Sequence, residues 1–342
     1  MQKHKSQIKL LLKTTLGLFL VYYVLHSKMV DFDSLKTLLF SPLNLVLAFF
    51  FLSFSVLLCT ARWLLLVKPQ ELSQSYRSLL SLSMIGSFFN TFMPGSVGGD
   101  LIKAWYIAGR EPKKRTKAVF TVILDRILGL AVIVLYSAIT LLFFTDVLKN
   151  NTQLQLTALS VWGFSLICIV AYALFFLPHV WELSFVQKIL GLFQKNEKSA
   201  KLLDSILIYR NHFPDFSKAV ILSALSMLGI IFFYSFIGGL LKIPLTTAQY
   251  FFIVPIALTV SAVPLLPGGI GTGQVAFYTL FKWMNLPDPE QGGTLCTLMQ
   301  VYTILFNCLG ALFYLKAKRK PNSILLDETS TGLASTNTAP CL

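Results

Sequence analysis

Four ionisable side chains, Asp100, Lys103, Asp125 and Arg126, sit in or beside long uncharged stretches of this 342-residue chain. Two glycine-rich stretches frame them: Met93-Pro94-Gly95-Ser96-Val97-Gly98-Gly99-Asp100 and Leu266-Pro267-Gly268-Gly269-Ile270-Gly271-Thr272-Gly273, the second followed by Gln274. A glycine-rich turn that opens a helix presents free backbone N–H groups and the positive end of the helix dipole, which suit a phosphate. On this reading Gly98 and Gly99, and Gly268, Gly269, Gly271 and Gly273 with Gln274, cradle a phosphate-bearing headgroup. The alternative is that these glycines only let broken helices pack closely, as small residues do in membranes. Asp100 caps its helix well but repels an anion, so the second stretch is the better cradle. Lys103 lies one turn further along the same face, where it can meet Asp100 or hold a phosphate itself. Asp125 and Arg126 are helix neighbours about 100° apart, so each needs a partner elsewhere. A polar site shared with Lys103 or Asp100 is expected, because an unpaired charge inside a membrane is costly. Arg126 has the alternative of snorkelling to the headgroups. Pro94 and Pro267 mark the breaks, and Asn90 is placed to satisfy backbone groups freed there. Arg62, at the end of its apolar run, reads as an orientation anchor.

The elements that would position these residues follow from composition. Charged residues are 13% of the chain and apolar residues 55%, against about 25% charged in an ordinary soluble domain. Several uncharged runs approach or exceed the ~20 residues needed to cross hydrocarbon. This is the composition of a polytopic membrane protein. A net charge of +14 would suggest nucleic acid in a soluble protein. Here the lysines and arginines lie in the loops, where they orient the chain, so no nucleic-acid partner is expected. Cys59, Cys168, Cys296, Cys308 and Cys341 show no paired spacing, and the four histidines are scattered. Neither a metal site nor a cofactor is expected.

The runs Ile8–Leu25, Leu43–Ala61, Ala118–Phe144, Leu156–Leu177, Ala219–Leu241 and Gly292–Leu315 predict six full spans. Ser78–Gly109, interrupted at Pro94, and Ile243–Phe281, interrupted around Pro264–Gly273, predict two re-entrant or broken hairpins. Counting the hairpin arms gives eight crossings and leaves the orientation unchanged. Lys3, Lys5, Lys9 and Lys13 place the N-terminus in the cytoplasm. The basic loops on either side of the first hairpin put both its ends on that face. The second hairpin begins and ends outside, so matching units are inverted, over half-repeats of about residues 43–144 and 219–315. That arrangement places a binding site near the bilayer midplane. Residues 1–315 form one transmembrane domain, and the basic, polar tail 316–342 is expected to be disordered and cytoplasmic. Between residues 181 and 193, Trp181, Phe185, Val186, Ile189, Leu190 and Phe193 fall at helical spacing. They predict an amphipathic helix, either at the cytoplasmic interface or packed under the bundle.

The chain resembles the lysylphosphatidylglycerol synthase transmembrane family, also called flippase-like. The resemblance rests on Asn90-Thr91-Phe92-Met93-Pro94-Gly95-Ser96-Val97-Gly98-Gly99-Asp100 with Lys103, on Asp125-Arg126, and on Pro267-Gly268-Gly269-Ile270-Gly271-Thr272-Gly273-Gln274. It covers most of residues 8–316 and implies a bacterial inner-membrane protein that moves a lipid between leaflets. Family members often carry Arg at Lys103, Glu-Arg at Asp125-Arg126 and an acid at Gln274, so this chain offers no carboxylate at the last position. No segment after Leu315 is long enough to fold as an aminoacyl-transfer domain, so lysyl transfer from tRNA is not expected. The leading reading is a translocator of a phospholipid or other phosphate-bearing lipid, with membrane lipids as its partners. A lipid-modifying enzyme, with Asp100 or Asp125 as base, and a non-transporting scaffold are the alternatives.

Overall fold

The computed structural model describes residues 41–92, 98–149, 151–194, 196–261 and 271–318. The expected anchor Ile8–Leu25, Pro94, Pro267, Gly268, Gly269 and most of the tail lie outside the described residues. Helices are the regular elements of the described residues, with no strand among them. The helices are α1 (Pro42–Val67), α2 (Tyr76–Phe92), α3 (Gly98–Arg110), α4 (Arg115–Phe143), α5 (Thr145–Lys149) and α6 (Thr152–Phe176). After them come α7 (Ser184–Gln194), α8 (Glu197–Leu207), α9 (Phe213–Leu240), α10 (Thr247–Ser261), α11 (Thr272–Trp283) and α12 (Glu290–Lys318).

Five helical stretches are long and apolar enough to cross a membrane: Pro42–Gln70, Pro112–Phe143, Thr152–Phe176, Ser199–Leu240 and Glu290–Lys316. They correspond to five of the six full spans expected. The helices overrun the uncharged stretches, because a helix continues through flanking polar residues once its apolar part is packed. Thus α1 passes through Arg62 to Val67, and α12 reaches Lys318, three residues into the expected tail. The outer surface is the reverse of a soluble protein's. Leu159, Phe164, Leu166 and Ile167 of α6 are each more than 60% exposed, a patch that only lipid tolerates. The chain is an all-α, multi-pass membrane protein. The predicted amphipathic segment, residues 181–193, is split between the end of a 3-10 turn (Pro178–Glu182) and α7.

Antiparallel pairing of α1 and α9 forms the central seam. Arg62 touches Ser223, Ser55 and Cys59 touch Ser226, and Phe51 stacks on Phe233. Small residues bring the two backbones together, since lipid offers no hydrophobic drive and close packing must hold helices. A methyl group on Gly229 would stand only 3.0 Å from the Phe54 ring.

The two described arms of each expected hairpin pack against each other. In the first, Arg110 at the end of α3 donates to Ser78 near the start of α2. Gly99 crosses Gly86 so closely that a Cβ on Gly99 would lie 1.9 Å from the Gly86 carbonyl oxygen. In the second, a Cβ on Gly273 would meet Ser261 of α10 and, at 2.8 Å, Cys296 of α12. Helix α12 passes both hairpins and serves as a ruler. Along it, α2 is met at Tyr314 (by Phe89), Gly310 (by Met84 and Phe88) and Asn307 (by Thr91). The second hairpin is met at Gly292 (by Phe277), then at Thr297 and Gln300 (by Gln274). The last described turns therefore approach the middle of α12 from its two ends, with Gln300 and Asn307 about 10 Å apart along the axis.

Gly310 sets the distance between α12 and the first hairpin, because a Cβ there would fall 2.1 Å from the Met84 carbonyl oxygen. Gly310→Ala is expected to destabilise the protein by about 1–3 kcal/mol, the usual range for overpacking. Gly163→Ala, which meets nothing within 4 Å, is expected to be neutral or slightly stabilising. Thermal unfolding of both variants in detergent checks the pair; equal melting temperatures would rule out the tight crossing.

Candidate functional site

Three helices converge on the polar cluster. α3 brings Asp100 and Lys103 one turn apart, α4 brings Asp125 and Arg126 from its middle, and α1 brings Arg62. Asp100 is the hub of one half: Arg126 Nη1 donates to its Oδ2, and Lys103 Nζ stands 3.7 Å from its Oδ1. Lys103 Nζ also lies 5.5 Å above the centre of the Trp63 ring. The stem of Lys103 runs over Gly86, where any side chain would collide with its Cγ and Cε.

In the other half, Arg62 Nε donates to Asp125 Oδ1 at 2.7 Å and Arg62 Nη1 donates to Ser223 Oγ at 2.8 Å. Gly129, one turn after Asp125, leaves room for the guanidinium, 3.1 Å from where its Cβ would be. Side-chain exposure is 9% for Arg62, 13% for Asp125, 15% for Lys103 and 16% for Asp100, rising to 31% for Arg126. Three cations face two carboxylates, so the shielded cluster carries one excess positive charge.

The neighbours Asp125 and Arg126 do separate, as their positions on a helix require. Arg126 shares a site with Asp100 and Lys103, while Asp125 turns to Arg62. The reading of Arg62 as an orientation anchor is corrected: it is 7% exposed and paired within the bundle. Its position at the edge of an apolar run gave the loop rule a sufficient explanation. The signal that could have found it is the need of Asp125 for a cation that Arg126 cannot supply.

Phosphate-cradling by the described glycines is also modified. Gly98 and Gly99 are buried, and the Gly99 N–H donates to Asn90 Oδ1 at 2.7 Å. Asn90 thus accepts from a backbone N–H at the start of α3. At the second break the Gly271 N–H donates to Gln274 Oε1 at 2.7 Å, so the Gln274 side chain caps the start of α11. Gly271 adopts φ 85°, a conformation suited to glycine. Gln274, 2% exposed, uses its amide nitrogen to donate to Thr297 Oγ1 at 3.1 Å and Gln300 Oε1 at 2.7 Å. A carboxylate could accept from Gly271 but could donate to neither. Close packing therefore accounts for Gly99 and Gly273, and the Gly99 and Gly271 N–H groups are already engaged.

Among α2, α9, α10, α11 and α12 lies a cavity of about 250 Å³, with no charged side chain among its described lining residues. Asn90 and Thr91 reach it from α2, Ser261 from α10, and Gln300, Thr303 and Asn307 from α12. Asn307 Nδ2 donates to Thr91 Oγ1 at 3.0 Å. The polar face Thr297, Gln300, Thr303 and Asn307 escaped a search for charges because it carries none. Its three-to-four-residue spacing inside an apolar run is the signal that marks it. Among the described residues no group of three or more His, Cys, Asp or Glu side chains could hold a metal ion.

Removing one partner of a buried pair leaves an uncompensated charge, at a cost of about 3–5 kcal/mol. Arg62→Ala and Asp125→Ala should each destabilise the protein by roughly that amount. The double variant should be less damaged than the sum of the two. Thermal or denaturant unfolding of all four proteins closes the cycle, and additive losses would show that the pair is not coupled.

Comparison with known proteins agrees with this architecture. The family model described as the lysylphosphatidylglycerol synthase TM region matches residues 10–310. The UPF0104 membrane protein MJ1595 of Methanocaldococcus jannaschii is 25% identical over 302 residues, covering 82% of this chain and 86% of the relative. The UPF0104 membrane protein PH1989 of Pyrococcus horikoshii is 24% identical over 261 residues, covering 69% of this chain and 76% of the relative. No solved structure gives a significant match. The protein belongs to the lysylphosphatidylglycerol synthase transmembrane family.

Proposed function

We propose that this protein is a lipid translocator, which passes the phosphate-bearing headgroup of a membrane lipid between leaflets while the acyl chains stay in the bilayer. The observation that carries this reading is the shielded cluster Arg62, Asp100, Lys103, Asp125 and Arg126, with its excess positive charge. Asp100 lies ten residues from the end of α3 and Asp125 ten residues from the start of α4. At 1.5 Å per residue that is about 15 Å, half of a ~30 Å hydrocarbon layer. A membrane protein keeps ionisable groups at such depth for a path or a relay, since bringing them there is costly.

The two hairpins are then re-entrant elements of an inverted repeat, one from each face, with the path running between their breaks. The cavity on α12 supplies hydroxyl and amide groups for a headgroup that leaves the charged cluster. Asp100 holds Lys103 and Arg126 when no lipid is present, and an incoming phosphate competes with it for both cations. The basic loops place the termini on the cytoplasmic side of the plasma membrane, the inner membrane of a bacterium. The glycine-rich tips, including Gly268 and Gly269, add backbone N–H groups to the path. No group in the cluster is arranged as a nucleophile with its base, which favours movement over modification.

Lys103→Ala and Arg126→Ala test the proposal. Each should lower the rate at which a fluorescent phospholipid crosses reconstituted vesicles by about tenfold or more, the loss expected when a charge-assisted hydrogen bond worth about 1.5–3 kcal/mol is removed. Arg126→Lys should retain part of the rate. Wild-type rates in both alanine variants would sink the assignment.

A further inference from the structure

A second positively charged site lies about 15 Å along α4 from Asp125, where the loop between α3 and α4 meets the cytoplasmic helix α8. Lys113, Lys114, Arg115 and Lys117 from the loop and the start of α4, and Lys201 with Asp204 from α8, line a cavity of about 310 Å³. Five cations against one carboxylate leave a net lining charge of +4. Orientation of the chain requires basic residues on this face, but it does not require Lys201, more than eighty residues later, to close a pocket with them.

Part of that charge is already engaged. Lys114 Nζ donates to the Glu71 carbonyl oxygen at 2.7 Å and lies 3.3 Å from its carboxylate, and Lys201 donates to Glu197 at 2.6 Å. Lys113, Arg115 and Lys117 have no carboxylate within ion-pair distance among the described residues. The pocket therefore keeps three uncommitted cations.

What lies below it decides the kind of anion. Thr116, in the pocket wall, starts a face of α4 that continues through Ile123, Ile127 and Leu130 at seven- and three-to-four-residue spacing. These three are 50%, 56% and 38% exposed, and together they form an apolar stripe toward lipid. Leu202, next to Lys201, is also exposed. A basic pocket directly above an outward apolar stripe has the shape of a whole lipid, headgroup above and acyl chains below. A soluble anion would use only the upper half.

We infer that this pocket and stripe bind one anionic phospholipid of the leaflet facing the basic loops, at a site separate from the Asp100–Arg126 cluster. Basic pockets of this kind select acidic headgroups through charge. The inference stands whether or not the protein translocates lipid, because it draws on none of the residues proposed for the path.

The test uses the full chain in nanodiscs of mixed phosphatidylglycerol and phosphatidylcholine, extracted mildly and weighed by native mass spectrometry. The wild type should retain phosphatidylglycerol preferentially. The triple variant Lys113→Gln/Arg115→Gln/Lys117→Gln should lose that preference by roughly tenfold or more, since each basic residue near the surface contributes severalfold. The charge-keeping triple Lys113→Arg/Arg115→Lys/Lys117→Arg should retain it, which separates a charge effect from misfolding. Ile123→Ser/Ile127→Ser should weaken retention of the diacyl lipid. Undiminished preference in the neutral triple overturns the site. Displacement of phosphatidylglycerol by millimolar inorganic phosphate, together with no effect of the two serines, overturns the lipid assignment in favour of a free anion.

Discussion

Hydrocarbon leaves no water to satisfy a stranded charge or an open backbone group, and the arrangement of this bundle follows from that constraint. Among the described residues, the charges of the cluster between the helices are paired: Arg62 with Asp125, and Lys103 and Arg126 with Asp100. Each helix break is closed by a side-chain amide, Asn90 at the first and Gln274 at the second. The glycines follow from the same need. Gly99 and Gly310 sit where a backbone passes too close for any Cβ, Gly86 lies against the Lys103 stem, and Gly129 leaves a tight fit for the Arg62 guanidinium.

The pairing also explains how such a cluster can be poised instead of inert. Asp100 divides one carboxylate between two cations, and Lys103 stands at 3.7 Å, beyond ordinary hydrogen-bond length. Arg62, by contrast, is held by Asp125 and Ser223 together and is the most shielded of the five. One half of the cluster is built like a fixed brace of α1, α4 and α9. The other half is the one that the proposed translocation would open to an incoming headgroup.

Much of this was legible in the chain. A charge in an apolar run stands out, which is why Asp100, Lys103, Asp125 and Arg126, which the structure brings into one cluster, could be named. The partner of Asp125 was not legible, because it depends on how α1 packs against α4 and on the space left by Gly129. Arg62 hid at the end of its run, where the loop rule accounted for it. The uncharged face of α12 hid for the opposite reason: Gln300, Thr303 and Asn307 cost little to bury and alter no charge count. The role of Gln274 could not be read either, since only the fold brings Thr297 and Gln300 to its amide.

Helix α12 touches the described arms of both expected hairpins, and the proposed path depends on their entering from opposite faces of the membrane. Single cysteines at Ser73, before the first hairpin, and at Asp288, after the second, report this directly on a background without the native cysteines. A membrane-impermeant thiol reagent should label Ser73→Cys only from the cytoplasmic side and Asp288→Cys only from the other. Labelling of both from one common side would contradict the mirrored arrangement and the path drawn through it.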